Sequence, residues 1–130
     1  MQKDKLFNYQ AKLDRVIDGD TVDAMIDIGF SVCVKKRIRF YGINTPESRT
    51  RDLEEKKRGL ASKDRLVEIL EANDNEFYLQ SLGVGKYGRC LGILFVTKLP
   101  GETEEREEFI NVNKQLIVEG FGVEYFGGKR

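Results

Sequence analysis

The sequence predicts an α+β fold: a small five-stranded β-barrel with one long helix after its third strand and one short helix near the C-terminus. Three observations predict it. Residues 9–41 hold three extended runs separated by short turn signals. Residues 53–72 carry an apolar repeat at helical spacing with charge elsewhere. Residues 76–97 return to two β-rich runs. At 130 residues, 40% of them hydrophobic, the chain is long enough for one domain with a real core. It is read as a single domain over 1–130, with residues 1–8 and 127–130 as loose tails.

The first strand is expected from about Tyr9 to Ile17. Asp18-Gly19-Asp20 is a tight turn signal, the second strand runs from about Thr21 to Ile28, and Gly29-Phe30 turns the chain. The third runs from about Ser31 to Tyr41. In it Val32, Val34, Ile38 and Phe40 share one face while Cys33, Lys35, Arg37 and Arg39 share the other. The strand leads into Gly42-Ile43-Asn44-Thr45-Pro46-Glu47. Gly42 relaxes the backbone, and Pro46 restricts Thr45 to an extended conformation, so the stretch ends as a rigid turn that fixes Glu47. An arginine, an amide, a turn carbonyl and a glutamate held close together suit a phosphate and a hard metal ion.

Asp52 followed by Glu55 reads as a capping box that opens the long helix, which runs to about Ala72. Leu53, Leu60 and Val67, with Leu66 and Leu70, form its expected apolar stripe. Asn73-Asp74-Asn75 stops it. Strands follow at about Glu76 to Ser81 and Cys90 to Thr97, joined through Lys86-Tyr87-Gly88-Arg89. Pro100-Gly101 and the acidic run Glu102 to Glu108 read as a solvated loop. A short helix over Asn113 to Glu119 stops at Gly120, and Phe121 to Phe126 is extended. This element order is that of an OB-fold barrel.

Composition limits the chemistry. The chain has no histidine, which excludes Ser-His and Cys-His nucleophile systems and ordinary zinc-hydrolase sites. Acid–base work falls to carboxylates, lysines, tyrosines or metal-bound water. A metal site would be oxygen-lined, favouring calcium, magnesium or manganese. The net charge is zero, yet residues 102–108 carry five acids and one base, leaving the rest of the chain net positive by four. Lys35, Lys36, Arg37 and Arg39 concentrate that charge on one strand, a local patch for a polyanion. The N-terminus lacks the apolar segment of a signal peptide and no run is long enough to span a membrane, so an intracellular protein is expected, with Cys33 and Cys90 as reduced thiols.

Ile17-Asp18-Gly19-Asp20-Thr21-Val22, the stretch from Arg39 to Glu47, and Lys86-Tyr87-Gly88-Arg89 together resemble the staphylococcal nuclease (thermonuclease) family, over about residues 11 to 126. The resemblance implies an OB-fold barrel and calcium-dependent hydrolysis of DNA and RNA phosphodiesters. It implies Asp20 as the carboxylate ligand of the metal, the Thr45 backbone carbonyl as another ligand, and Asp18 as a partner behind them. Arg39 and Arg89 would grip the scissile phosphate, and Glu47 would activate or orient the attacking water. Lys86 and Tyr87 would contact a terminal phosphate and sugar, and Tyr125 lies near the family's tyrosine-bearing C-terminal segment. Asn44 stands where the best-known member has a second metal-binding Asp. Its amide oxygen can coordinate calcium but brings no charge. Gly85 also replaces an acidic residue.

The expected protein is therefore a metal-dependent nuclease of little sequence specificity. It would act as a monomer on DNA or RNA, preferably single-stranded, with Ca2+ (Mg2+ or Mn2+ as alternatives) and no membrane. A second reading is a catalytically weak or inactive OB-fold module that binds nucleic acid or protein. Neutral net charge and Asn44 favour that reading, while Arg39, Glu47 and Arg89 together oppose it.

Overall fold

The computed structural model describes residues 8–84 and 88–126. Strands β1 (Asn8–Asp18), β2 (Thr21–Asp27) and β3 (Cys33–Phe40) form an antiparallel meander. After the short β4 (Gly42–Asn44) and helix α1 (Leu53–Glu71), β5 (Glu76–Val84) pairs with β1, and β6 (Cys90–Val96) pairs with β5. The barrel closes where β6 runs parallel to β3, with Ile38 beside Cys90, Arg39 beside Leu91 and Phe40 beside Gly92. This is a closed five-stranded mixed barrel of OB type, as expected. The two-residue β7 (Ile110–Asn111) pairs antiparallel with the end of β6, helix α2 (Val112–Val118) follows, and β8 (Val123–Tyr125) pairs with β4.

Alternation fills the interior: Val22, Ala24, Ile38, Phe40, Leu79 and Leu94 are fully or almost fully buried, with Leu66, Ile69 and Leu70 of α1 closing one side. Asp52 caps α1 by accepting from the Glu54 and Glu55 backbone amides at 3.0 and 3.2 Å. Asn111 caps α2 in the same way, accepting from Lys114 N at 3.0 Å. Cys33 is exposed, Cys90 is buried, and both are free thiols. Among the described residues no helix is long and apolar enough to cross a membrane.

Four local expectations need correction. Asn8 belongs to β1 rather than to a loose tail. Ser31 is not in the third strand. Gly29, Phe30 and Ser31 all take positive φ, so the turn is longer and β3 starts at Cys33. The capping box is only half made, because Glu55 Oε2 accepts from Glu47 N at 3.2 Å while Asp52 N turns to Thr50 Oγ1. The stripe Leu53–Leu60–Val67 is not the buried one: Leu53 is 79% exposed, and the inner face holds Gly59, Ser62, Leu66, Ile69 and Leu70. Gly59 and Ser62 sit inside because backbone, not side chains, packs on them. A Cβ at Gly59 would lie 2.2 Å from the Glu47 carbonyl oxygen, and one at Gly19 would lie 2.7 Å from Ser62 Cβ.

Candidate active site

Three backbone segments meet at one end of the barrel: the β1–β2 turn, the end of β3 with β4, and the loop after β4. Helix α1 clamps them. Its Gly59 admits the backbone of residues 47–48, and its Ser62 backs the Gly19 turn. Buried Asn113 of α2 adds a second tie. Its Nδ2 donates to the carbonyls of Tyr41 (2.8 Å) and Gly92 (3.2 Å), while its Oδ1 accepts from Leu94 N. Every polar atom of that amide is used, which fixes where β3 hands the chain to β4.

Asp20 is the hub. Its Oδ2 accepts from Thr45 N at 2.9 Å, and its Oδ1 accepts from Thr21 Oγ1 at 2.9 Å. Its own carbonyl accepts from Phe40 N at 2.8 Å, so the turn is locked to β3. Asp18 does the same for the next part of the loop, accepting at Oδ1 from both the backbone amide and the hydroxyl of Ser48. Two carboxylates thus capture the amides on either side of Pro46–Glu47. Glu47 itself is solvent-exposed.

Arg39 stands beside this hub. Its Nη1 donates to the carbonyls of Phe40 (2.8 Å) and Ile43 (2.9 Å). The same nitrogen is 3.5 Å from Asp20 Oδ2, and Nη2 is 3.5 Å from Asn44 Oδ1. The side chains of Arg39 and Asp20 are only 18% and 10% exposed. Backbone carbonyls therefore hold the guanidinium, and the carboxylate contact is a long one. Arg89, one residue before Cys90, is brought to the Arg39 end of β3 by the parallel β3–β6 ladder. Tyr125 lies on β8 opposite Gly42, two residues from the Val123–Asn44 pair. Lys86 and Tyr87 lie outside the described residues. A cleft of about 520 Å³ is bordered by Asn44, Thr45, Pro46, Arg58 and Phe121.

Residues 37–130 match the family described as staphylococcal nuclease homologue. The chain belongs to that family. The match spans most of the chain and includes Arg39, Asn44, Thr45, Glu47 and Arg89, while Asp18 and Asp20 precede it. A comparison with curated proteins gives no significant match. Membership of a family of nuclease homologues implies nucleic acid as the substrate class.

The residues fit a hard cation in kind. Asp20, the Asn44 amide and the Thr45 carbonyl are all oxygen donors within one hydrogen-bonded cluster, and Thr45 Oγ1 is buried there without a hydrogen-bond partner. They fit less well in charge. Among the described residues no three His, Cys, Asp or Glu side chains are grouped to hold a metal ion.

Two supports of the site were not anticipated. Ser48, which Asp18 holds, follows Glu47 directly but has no motif of its own. Asn113 was expected only as the first residue of a helix.

Proposed function

We propose that this member of the staphylococcal nuclease family is a metal-dependent nuclease. It hydrolyses phosphodiester bonds of DNA or RNA, prefers single strands and has little sequence specificity. The observation that carries the reading is the placement of Arg39, clamped by two backbone carbonyls at the head of the loop that bears Glu47. A guanidinium fixed in this way offers its remaining donors to a phosphate without first having to be ordered.

In this reading Arg39 and Arg89 bind the non-bridging oxygens of the scissile phosphate. Their charge offsets what builds there as water attacks phosphorus in line. The Glu47 carboxylate takes the proton of that water, and the bond to the leaving ester oxygen breaks. Preorganised donors of this type are worth about 10²–10³ in rate, and general-base help about 10²–10⁴. Asp20, the Asn44 amide oxygen and the Thr45 carbonyl would hold calcium, with Asp18 behind them. Calcium bound there would add positive charge at the phosphoryl oxygen. The neutral Asn44 predicts weak metal affinity. Lys86 and Tyr87 would serve the terminal phosphate and sugar, and Tyr125 the same end of the substrate.

The reading is tested by cleavage of a fluorescent single-stranded DNA with calcium, magnesium, manganese or chelator. Cleavage should need the cation. Asn44→Asp should lower the calcium concentration required by about tenfold, one added carboxylate ligand being a large step in the charge of such a site. The sparse carboxylate set favours one rival, a module that binds nucleic acid without cutting it. A folded protein that binds the strand but leaves it uncut with every one of these cations would establish that rival.

A further inference from the structure

The outer face of the β1–β2–β3 sheet carries a second cationic cluster that the site does not use. Asp23 of β2 is flanked by two arginines, Arg15 on β1 and Arg37 on β3, each directly opposite it in register. Its carboxylate accepts from Arg37 Nε (2.8 Å) and Nη2 (3.1 Å), and from Arg15 Nε (3.1 Å). We propose that Arg15 and Arg37, braced by Asp23, form a second phosphate site, one nucleotide along a single strand from the phosphate held by Arg39. The proposal rests on the nuclease reading and extends its substrate track.

Four observations carry it. First, the charges do not cancel: two guanidiniums share one carboxylate. One arginine would neutralise Asp23, so the pair of them leaves the cluster with a net positive charge. Second, the donors are not used up. Each guanidinium has five N–H groups; Arg37 spends two on Asp23 and Arg15 spends one. The Arg15 and Arg37 side chains are 60% and 44% exposed, whereas that of Asp23 is 9% exposed. Anion buried and cations open is the arrangement of a receptor for a further anion. Asp23 stays ionised throughout, because the Arg37 hydrogen bonds hold its carboxyl down to about 2.

Third, the chain departs from regular pairing to build the cluster. The β1–β2 register slips between Leu13 and Arg15, so Asp14 is passed over and Arg15 comes opposite Asp23. Without that bulge Asp14 would face Asp23, carboxylate against carboxylate. Bulges commonly re-aim a side chain in this way. Asp14 pairs instead with Lys35. Fourth, the spacing suits a nucleic-acid backbone. Arg37 and Arg39 lie on the same face of β3, two residues and so about 7 Å apart along the strand. Each anion of a polynucleotide backbone can then meet its own cation.

The test compares wild type with Arg15→Ala, Arg37→Ala and the double variant. Arg15→Ala leaves the Arg37–Asp23 pair whole and so guards against a folding defect. Cleavage is followed on a dinucleotide, which spans only the Arg39 phosphate, and on a long single-stranded oligonucleotide. Binding of the long strand in chelator is followed by fluorescence anisotropy across a salt series. The double variant should raise KM for the long strand about tenfold, as expected for losing charged hydrogen bonds, with kcat and dinucleotide cleavage unchanged. Its slope of log affinity against log salt should shrink by about 0.7. Arg37→Lys should recover part of the loss. Unchanged long-strand affinity and salt slope would overturn the second site and leave the nuclease reading standing. If wild type cuts nothing but the double variant still loses salt-dependent binding of the long strand, the second site stands and catalysis fails.

Discussion

Among the described residues, two of the partly buried arginine–carboxylate pairs, Arg65–Glu119 and Arg39–Asp20, are built differently. Arg65 of α1 meets Glu119, the C-cap of α2, fork on fork, with Nε to Oε1 at 2.6 Å and Nη2 to Oε2 at 3.0 Å. Gln115 adds a third donor to the same carboxylate at 2.7 Å. Arg65 Nη1 adds only a long contact of 3.5 Å to Glu68, so the pair is nearly saturated: the hydrogen bonds from Arg65 hold Glu119 below the ordinary carboxyl range, and Arg65 is raised in turn. Arg39 and Asp20 approach only to 3.5 Å. Asp20 spends its oxygens on Thr45 N and Thr21 Oγ1, and Arg39 spends Nη1 on two carbonyls. The first pair ties one helix to another. The second is a pair of separately anchored groups whose mutual contact is long, and in the nuclease reading that leaves both free to meet a third partner. In that reading, saturation separates scaffold from site better than burial does.

The sharpest way to break this contrast is at Glu47. In the nuclease reading Glu47→Ala should lower the rate of single-strand cleavage by about 10²–10⁴, with a melting temperature close to wild type because the side chain is exposed. A wild-type rate would remove Glu47 from the chemistry. Next in size is Gly59→Ala. The new Cβ would meet the Glu47 carbonyl at 2.2 Å, so the loop must move or the helix must shift. Overpacking against backbone should cost about 3 kcal/mol, read by chemical denaturation, and cleavage should fall as well because the displaced loop carries Glu47. Full activity in a destabilised protein would show that the loop position does not matter.

Arg65→Ala should cost about 2 kcal/mol, the loss of charged hydrogen bonds at a partly buried pair, without changing kcat. The pair also sets a pH dependence. Glu119 and Asp23 both have folded pKa values below their ordinary ones, Asp23 falling from 3.8 to about 2. Their stabilising contribution is therefore present above about pH 4.5 and is lost as pH falls toward 2. Denaturation midpoints measured across that acid range should decline in wild type and decline less steeply in Glu119→Gln.

Much of the barrel was legible in the sequence because strand alternation and the Gly-Asp and Asn-Asp-Asn punctuation are local signals. Barrel closure was not. Nothing near Ile38 or Cys90 specifies that they lie side by side in a parallel ladder. The strands β4 and β7 escaped notice because two or three residues are too few to show a period, whereas β8 lies within the stretch expected to be extended. The face of α1 was misread for a physical reason: hydrophobic spacing finds large side chains, and the half of α1 under the site buries Gly59 and Ser62 against backbone. Within the site, Asp18, Asp20, Arg39, Asn44 and Thr45 were readable as a motif, and the structure draws the last four into one hydrogen-bonded cluster. Ser48 and Asn113 were not readable, since a lone serine or asparagine has no pattern until its partners are folded around it. Arg15 was hidden by the bulge that brings it opposite Asp23.

The contrast between a closed pair and an open one is tested most directly by titrating a nucleoside bisphosphate into wild type, Arg39→Ala and Arg65→Ala, with and without calcium, alongside their melting temperatures. Arg39→Ala should weaken binding at least tenfold, the loss expected of a charged phosphate contact, while Arg65→Ala should melt earlier and bind as wild type. Equal binding by Arg39→Ala and wild type would contradict the account, because Arg39 would then be a second piece of scaffold and not a group held ready for phosphate.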